Sequence, residues 1–325
     1  MCIIKCEEYK EMSVKFDVLG LLCQHRGKTV SGEYIADKLG VSRAAVWKAI
    51  NGLKDDGYSI ASERNKGYVF SLNDDKLIGE AIGLLAPDFM PFVYDEVDST
   101  NDEAKRLAIE YPNKNIIVVA NAQRNGRGRR GRSFYSPCDT GVYFSVVIHP
   151  DIPPEKSVLV TTAAALATAE TIESITGKTA LIKWINDVYV DGKKCVGILT
   201  EATLNCESAK FDNIIVGIGV NVTTSDFPAD ISDRAGSIGA ASRNELVAEI
   251  SEKLLRYSQP LTGEFMREYE KRCFVIGKIV TVLEKNGREY EAKATGLTAL
   301  GELTAETANG RSVVLNNEEV SVKVR

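Results

Sequence analysis

Five arginines and three glycines occupy nine consecutive residues, from Arg124 to Arg132. The guanidinium groups repel one another and the glycines cost backbone entropy to order, so this segment gains most from an anion that neutralises it. It joins two apolar segments predicted as buried strands, 115–120 and 141–149. A basic loop in that position is typical of a binding-site edge. We predict an anion-binding loop that orders around its ligand. The alternative is a solvated basic loop.

The same run partly matches the P-loop pattern, with arginine in place of lysine, through Gly126, Gly131, Arg132 and Ser133. A P-loop needs small residues that turn backbone N–H groups inward, and it leads directly into a helix. Here bulky arginines fill the interior, and the segment 133–137 does not start a helix. A P-loop is therefore excluded.

Polar or glycine residues also cluster at the ends of other apolar segments. The segment 98–101 begins a helix, where hydroxyl and free N–H groups can hold the polar head of a ligand, although Ser99 and Thr100 are also typical caps. The segment 183–187 places a lysine, an amide and a carboxylate after a strand. Glycines in 217–221 allow a ligand to approach the backbone closely.

Gln123 precedes the arginine run, and Lys194 near the start of a later strand is either another inward cation or a solvated turn lysine. The chain has only two histidines, no Ser-His-Asp candidate and no paired metal ligands. Cations, amides and a few acids suit chemistry in which charge is positioned and stabilised. The predicted reaction class is therefore phosphoryl or nucleotidyl transfer.

A winged helix-turn-helix is predicted for residues 14–72, with its recognition motif at about 32–51. Ser31 and Ser42 can cap two successive helices, and Gly40 can end the first in the left-handed conformation. The second helix has an apolar inner face and a basic outer face without acids, and a hairpin with a basic tip follows. The alternative is a scaffold for protein contacts. The residues predicted to contact DNA are Ser42, Arg43, Trp47, Lys48, Asn51, Arg64 and Lys66.

Two further domains are predicted, which gives boundaries of 1–75, 76–273 and 274–325. In the central domain, strands follow one another without intervening helices, so we predict an α+β fold with a mixed sheet. A long apolar helix is predicted at 157–176. The last domain consists of short strands and turns, which predicts a small SH3-like β-barrel.

Capping boxes are predicted to start two helices of the central domain, through Thr100 with Glu103 and Ser242 with Glu245. In the C-terminal segment, the pairs Asn286-Gly287 and Asn309-Gly310 lie between alternating runs and predict tight hairpin turns.

Composition restricts the compartment and the partners. The 325 residues carry a net charge of −5, which argues against a protein that coats nucleic acid. The seven cysteines show no metal-ligand pairing and predict reduced thiols in a cytoplasmic protein. We find no signal peptide and expect no membrane-spanning stretch of about 18 residues. The first dozen residues are interpreted as a loose extension.

Four motifs in this order, behind a winged helix, resemble the bifunctional biotin–protein ligases that also repress biotin operons. The motifs are Asp-Ser-Thr-Asn at 98–101, Arg-Gly-Arg-Arg-Gly-Arg at 127–132, Lys-Trp-x-Asn-Asp at 183–187 and Gly-x-Gly-x-Asn at 217–221. The resemblance covers nearly the whole chain after the first dozen residues. It implies that biotin reacts with ATP and Mg²⁺ to give biotinyl-5′-AMP, which a lysine of a biotin carrier protein then attacks.

The resemblance also implies roles for individual residues. Those implied to bind biotin are Ser99, Thr100, Asn101, Gln123, Arg127, Gly128, Arg129, Lys194, Gly217 and Gly219. Those implied to bind the nucleotide are Lys183, Asn221 and Lys323. Those implied for catalysis are Lys183, Asp187 and Arg129. No metal-ligating residue is predicted.

Two positions depart from the family pattern. Ile185 stands where the family usually has proline; because proline there fixes φ and does no chemistry, we expect the shape to survive at about 1 kcal/mol or less. Lys323 stands where relatives often place an arginine beside the nucleotide, which leaves the barrel's part in ATP binding open.

The predicted function is therefore ATP-dependent biotin–protein ligation combined with biotin-responsive repression. The predicted partners are a biotin carrier protein, operator DNA and a second copy of the chain, whose pairing biotinyl-AMP promotes; no membrane is involved. Two alternatives remain: a lipoate-type ligase, and a transcription factor that senses the adenylate without ligase activity.

Overall fold

The computed structural model describes residues 14–25, 27–55, 57–64, 66–70, 76–205, 210–284, 287–315 and 320–324. The predicted loose extension at the N-terminus lies outside these residues. The helices are α1 (Val14–Gln24), α2 (Gly32–Leu39), α3 (Arg43–Asp55), α4 (Gly79–Leu85), α5 (Thr100–Glu110), α6 (Ser157–Thr176), α7 (Arg243–Ser258) and α8 (Met266–Arg272).

The strands form three sheets. The first contains β1 (Thr29–Val30), β2 (Ile60–Glu63) and β3 (Gly67–Phe70). The second contains β4 (Met90–Val97), β5 (Ile116–Gln123), β6 (Gly141–Ile148), β7 (Ala180–Lys183), β8 (Asp187–Val190), β9 (Lys193–Asn205) and β10 (Lys210–Asn221). The third contains β11 (Ile279–Glu284), β12 (Glu289–Leu297), β13 (Leu303–Thr307), β14 (Ser312–Leu315) and β15 (Val320–Val324).

The N-terminal segment is a winged helix-turn-helix, as its sequence predicts. The Ser31 hydroxyl accepts a hydrogen bond from the Tyr34 backbone N–H at 3.1 Å, and Gly40 ends α2 at φ +65°. The Ser42 hydroxyl accepts from the Ala45 N–H at 3.1 Å. The apolar face of α3 is buried against α1 and α2, and the small sheet has the order β1-β3-β2.

The central sheet confirms the predicted α+β class. Its strand order is β4-β5-β6-β10-β9-β8-β7. Only the β4–β5 pair is parallel; the other neighbours are antiparallel. Strand β4 was not predicted. The long antiparallel pair of β9 and β10 runs through the middle of the sheet, so residues at alternate positions of β10 share one face.

Helix α6 is the predicted long apolar helix, ended by Gly177 at φ +69°. With its preceding turn, it is long and apolar enough to cross a membrane, so our expectation that the chain has no such stretch was wrong. However, 72% of its apolar window is buried inside the protein. A core helix passes the same test of length and composition, so the helix is explained by the central core.

One of the two predicted capping boxes is wrong. Ser99, not Thr100, is the N-cap of α5, and its side chain makes no capping hydrogen bond. Thr100 is the first helical residue, and its N–H and hydroxyl both donate to the Gln123 Oε1 atom, at 2.9 and 3.1 Å. The carboxylate of Glu103 accepts from the Tyr94 hydroxyl at 2.9 Å. Tertiary partners therefore replace the local cap.

The other capping prediction is confirmed at its first residue, because the Ser242 hydroxyl accepts a hydrogen bond from the Glu245 N–H at 3.3 Å. This bond starts α7. Helix α7 packs beside α6 and against α4, so its N-terminus lies between the central domain and the segment that leads to the winged helix.

The C-terminal sheet is antiparallel, with the order β14-β13-β12-β11-β15 among the described strands. The predicted turn at Asn309-Gly310 joins β13 to β14, with Gly310 at φ +77°, whereas Asn286 lies outside the described residues. The inner face of this sheet joins the hydrophobic core of the central domain. Closure into an SH3-like barrel stays a prediction.

Candidate ligand-binding and catalytic site

Glycines in β10 form the floor of a site on one face of the central sheet. A Cβ atom at Gly217 would lie 2.2 Å from the Asn101 Oδ1 atom, and one at Gly219 would lie 2.4 Å from the Phe134 ring. A Cβ at Gly197 in the neighbouring strand β9 would lie 2.8 Å from the same ring. Side chains at these positions would displace their neighbours, so the glycines are needed for this close packing.

A small cavity of about 30 Å³ lies above these glycines. Hydrogen bonds among Thr100, Gln123 and Ser145 organise its polar end; the Ser145 hydroxyl lies 2.8 Å from the Thr100 Oγ1 and 2.6 Å from the Asn101 Oδ1. The cavity is lined by Ser99, Thr100, Asn101, Gln123, Arg127, Phe134, Gly197, Leu199, Gly217, Ile218 and Gly219.

Beside this cavity, charged residues connect α5, β9 and the arginine loop, which is the segment 124–132. Glu201 accepts hydrogen bonds from the Asn101 amide at 2.7 Å and from the Lys105 ammonium at 2.8 Å. Arg127 reaches Asp102 at 2.6 Å and Glu201 at 3.3 Å. Burial acts to raise the pKa of Glu201, but these hydrogen bonds and cations outweigh it and lower the pKa below 4.5. Glu201 is therefore an ionised anchor.

The arginine loop is a hairpin, not a phosphate-binding loop before a helix. The Gly128 N–H donates to the Arg132 carbonyl at 2.7 Å, and the Phe134 N–H donates to the Gly126 carbonyl at 2.8 Å. A 3₁₀ turn at Arg129–Gly131 forms its tip. Segment 133–137 follows without a helix, in agreement with the exclusion of a P-loop.

A second cavity, of about 190 Å³, lies beneath this hairpin. Its lining contains four arginines and two lysines, whereas Asp187 is its only acid among the described residues. Such a cavity attracts anions. It is lined by Arg127, Gly128, Arg129, Arg130, Arg132, Ser133, Phe134, Lys183, Trp184, Asn186, Asp187, Lys194, Gly197, Ile198 and Leu283.

Arg129 is the most buried arginine of the hairpin, and its Nη1 donates to the Asn186 Oδ1 at 3.3 Å. Burial lowers the pKa of Arg129, and repulsion from Arg130 lowers it further, while attraction to Asp187 opposes both. A bound anion would relieve this penalty further, because it would add negative charge beside a partly desolvated cation.

The hairpin of β7 and β8 places Lys183 and Asp187 opposite each other in register. Asp187 also lies 2.7 Å from the Lys194 ammonium, which reaches it from β9. Ile185, which replaces the family's proline, is fully buried in the connecting turn, and its carbonyl accepts a hydrogen bond from Tyr269 at 3.1 Å. The Trp184–Ile185 peptide bond is cis.

Arg127, Phe134 and Gly197 line both cavities, so the two cavities are neighbours separated by the Phe134 ring. Sequence reasoning missed Phe134 and Gly197. Gly197 follows Lys194 by three residues in an apolar strand, and a glycine inside a strand is a signal for close backbone approach. Phe134 had no local signal, because only the folded sheet places it across two strands.

Of the residues predicted to bind the nucleotide, Asn221 lines neither cavity. Asn221 is buried at the end of β10, and its amide donates to the Gly236 carbonyl at 3.1 Å. Lys323 pairs through its backbone with Thr281, and its side chain lies outside the described part of the chain. A neighbouring residue of the same sheet, Leu283, does line the larger cavity.

The predicted DNA-binding face is presented to solvent. Ser42 is exposed just before α3, Arg43 and Lys48 are exposed on it, and Trp47 is 61% exposed. Asn51 is half-buried one turn further along. Arg64 and Lys66 are exposed at the tip of the β2–β3 hairpin, and the residue between them lies outside the described part of the chain. This geometry agrees with a recognition helix and wing.

Family models match all three parts of the chain. The biotin/lipoate A/B protein ligase family matches residues 93–221, a helix-turn-helix domain matches 14–69, and the biotin protein ligase C-terminal domain matches 275–322. The fold and the anion-binding site therefore belong to a ligase joined to a helix-turn-helix domain.

Curated relatives agree along nearly the full length. The bifunctional ligase/repressor BirA of Bacillus spizizenii is 35% identical over 92% of this chain and 95% of its own length, and that of Bacillus subtilis is 34% identical over the same shares. The solved biotin protein ligase of Aquifex aeolicus, in complex with biotin and ATP, is 28% identical with a TM-score of 0.60 over 72% of this chain and 99% of that one. The chain belongs to the family of bifunctional biotin–protein ligases and repressors.

Proposed function

We propose that this protein activates biotin with ATP and transfers it to a lysine of a biotin carrier protein, and that the same adenylate controls operator binding. The observation that carries the proposal is the pair of adjoining cavities, one small and lined by hydroxyls and amides, the other strongly cationic. A ligand with an uncharged polar head and an anionic end fits that order.

Biotin is assigned to the small cavity and its junction with the larger one. Its ureido head would use the hydroxyls and amides at the start of α5, and its carboxylate would point to Lys194 in the larger cavity. The Phe134 ring lines both cavities and would lie beside the bound ligand where they adjoin. The proposed biotin residues are Ser99, Thr100, Asn101, Gln123, Arg127, Gly128, Arg129, Lys194, Gly217 and Gly219.

The adenylate phosphate is assigned to the cationic cavity. A biotin carboxylate oxygen attacks the α-phosphorus of ATP, the bond from that phosphorus to the bridging oxygen breaks, and pyrophosphate leaves. Lys183 and Arg129 stabilise the charge that develops on the phosphoryl oxygens. Asn221 and Lys323 are proposed to face the rest of the nucleotide.

The second step uses the same residues. The acceptor amine attacks the carbonyl carbon of biotinyl-AMP, the carbon–oxygen bond breaks, and AMP leaves with the electron pair. Asp187 lies opposite Lys183 in the β7–β8 pair. We propose that its carboxylate accepts the amine proton or orients the amine. Its 2.7 Å ion pair with Lys194 orients it before biotin enters.

Magnesium is proposed to enter with ATP. The described residues contain no cluster of three or more histidine, cysteine or acidic side chains that could hold a metal. Mg²⁺ with nucleotides is held largely by phosphates and water, so we assign it no ligand among the described residues. The ion would neutralise charge on the leaving pyrophosphate.

Repression is proposed to use the winged helix of a homodimer. One protomer offers few cations to DNA and carries a net charge of −5, so two copies would be needed for firm binding to two half-sites. We propose that biotinyl-AMP promotes this dimer.

Two further proposals concern the whole chain. The protein is proposed to be cytoplasmic, and its domains are proposed to span residues 1–75, 76–273 and 274–325.

The ligase proposal is tested by incorporation of radiolabelled biotin into a purified carrier domain. Wild-type protein should label the carrier only when ATP is present. Lys194→Ala should lower the rate about tenfold or more, because a charge-assisted contact is lost. Lys193→Ala is the matched control, since Lys193 is exposed and does not line either cavity. If the wild-type protein labels no carrier lysine, the alternative of an adenylate-sensing transcription factor is favoured. If it attaches lipoate instead of biotin, the lipoate-type ligase is favoured.

A further inference from the structure

Helix α7 begins with two adjacent buried polar residues. Arg243 is 4% exposed and Asn244 is fully buried. A cation in the first turn of a helix lies at the positive end of the helix dipole, and burial of a guanidinium or an amide is costly unless it is hydrogen-bonded. Neither the helix dipole nor the two cavities explain why these polar side chains are buried. The explanation lies in their hydrogen-bond partners.

Arg243 joins β5 and β6, the strands on either side of the segment 124–140 that contains the arginine hairpin. Its Nη1 donates to the Asn121 Oδ1 in β5 at 2.6 Å and to the Gly141 carbonyl at the start of β6 at 3.2 Å. The Asn121 amide in turn donates to Asp139 at 2.8 Å. Arg243 therefore holds both ends of the segment that contains the arginine hairpin.

Asn244 holds the segment that leads to the winged helix. Its Oδ1 accepts from the Ile78 N–H at 2.8 Å, and its amide donates to the Lys76 carbonyl at 2.9 Å. This segment runs into α4, where Ala81 belongs to the winged-helix core and Ile82 belongs to the central core. A displacement of Asn244 would therefore reach both cores.

We propose that Arg243 and Asn244 are positioning residues that couple the arginine hairpin to the winged helix. Because they are neighbours on one helix, a change at the base of the hairpin moves the contact that fixes α4. Adenylate binding thereby alters how firmly the winged helix is held for DNA. The inference rests on the proposed function, since it describes how the ligand of that site regulates DNA binding.

The test compares Asn244→Ala with Ser251→Ala. Ser251 is also fully buried on α7, but its hydroxyl donates within the helix, to the Val247 carbonyl at 2.7 Å. Each protein is titrated against the promoter duplex of its own biotin genes, with and without biotin plus ATP. The readout is the ratio of the two dissociation constants, and carrier biotinylation is measured in parallel.

Asn244→Ala should reduce that ratio about fivefold or more while its biotinylation rate stays within about twofold of wild type. Ser251→Ala should keep the wild-type ratio. An unchanged ratio in Asn244→Ala would overturn the coupling, because a residue with only a structural role would lower stability without changing the ratio. If the dissociation constant of the wild-type protein for DNA is the same with and without biotin plus ATP, the proposed sensing function is contradicted instead.

Hydrogen exchange of the wild-type protein gives a second readout that needs no variant. The exchange rate of the Ile78 amide, which donates to Asn244, should change several-fold when biotin and ATP are added. The Ser251 amide, on the same helix, should change much less. Equal exchange at Ile78 with and without the ligands would overturn the coupling even if Asn244→Ala failed to fold.

Discussion

At the residue scale, Arg129 connects the arginine hairpin to the turn between β7 and β8 through its hydrogen bond to Asn186. Its partial burial leaves a cation at the place proposed for the adenylate phosphate. Arg129→Gly should weaken retention of biotinyl-AMP by about 1.5–3 kcal/mol, because a charge-assisted contact is lost. ATP binding alone should change less.

The leak can be measured directly. Arg129→Gly should release activated biotin and label lysines of a bystander protein, whereas Arg124→Gly should not. Arg124 is the control because it pairs with Glu96 and Asp98, at 3.2 and 3.1 Å, away from the cavities. Labelling that stays confined to the carrier while adenylate is still made would show that Arg129 does not retain the intermediate.

Phe134 and Gly219 are a second residue-scale pair. Gly219→Ala would place a Cβ 2.4 Å from the Phe134 ring, so the ring would have to shift within the proposed biotin site. We expect the KM for biotin to rise about tenfold or more, the effect of losing about 1.4 kcal/mol of binding. The double variant with Phe134→Leu should recover part of the loss, because the smaller side chain relieves the contact. No recovery would mean that Gly219 acts through another neighbour.

At the element scale, Glu201 ties β9 to α5 and to the arginine hairpin. Its pKa is lowered in the folded protein, so its contribution to stability is present above the ordinary value of 4.5 and is lost as the pH falls through the lower, folded-state value. Glu201→Gln should therefore destabilise by on the order of 1 kcal/mol at neutral pH and by progressively less in acid.

Denaturant unfolding of wild type and Glu201→Gln across that pH range measures the difference. Glu302→Gln in the C-terminal sheet is a useful control, since Glu302 contacts Thr298 and no residue of the site. A difference between Glu201→Gln and wild type that stays constant from neutral pH into acid would contradict the ionised anchor.

The arginine hairpin is the element that should respond most to ligand. Ion pairs of Arg124 and Arg127 offset only part of the repulsion among its guanidinium groups, and a bound anion would offset more of it. Proteolytic nicking at 124–132 should therefore fall sharply when biotin and ATP are added. The exposed arginine Arg64 in the wing provides an internal reference site within the same digest. Equal cleavage of the hairpin in both conditions would refute ligand-driven ordering.

Elements with strong local patterns were predictable from the sequence. The caps at Ser31 and Ser42, the left-handed stop at Gly40 and the apolar helix before Gly177 depend on residues within one or two turns, and all are present. Strand β4 was missed because it begins beside a proline, ends in acids and pairs in parallel with a distant strand.

The site was predictable as motifs and less so as geometry. The four clusters did come together along the two cavities. Thr100 was assigned to a local cap because Gln123, its actual partner, lies 23 positions away in the sequence. The Phe134 ring crosses two strands that meet only in the folded sheet, and no short-range pattern indicates such a contact.

At the scale of the whole molecule, the C-terminal sheet has no core separate from the central one, and the winged helix has its own core, which meets the central core at α4. The C-terminal sheet shares the central core, and the Trp184 indole donates to the Gly301 carbonyl at 2.9 Å across that boundary. Helix α4 contributes to both the central and the winged-helix cores. Ligand state and DNA binding can therefore influence each other through packed elements.

One titration tests the link between ligation and repression most directly: a gel shift of the biotin-gene promoter duplex by the full chain. A retarded band should appear with biotin plus ATP, weaken with Arg43→Ala and Lys48→Ala, and disappear when unmodified carrier protein consumes the adenylate. A carrier whose acceptor lysine is replaced by arginine should leave the band in place. Binding that is equally tight without biotin and ATP, or that persists after unmodified carrier is added, would contradict a repressor controlled by its own ligase intermediate.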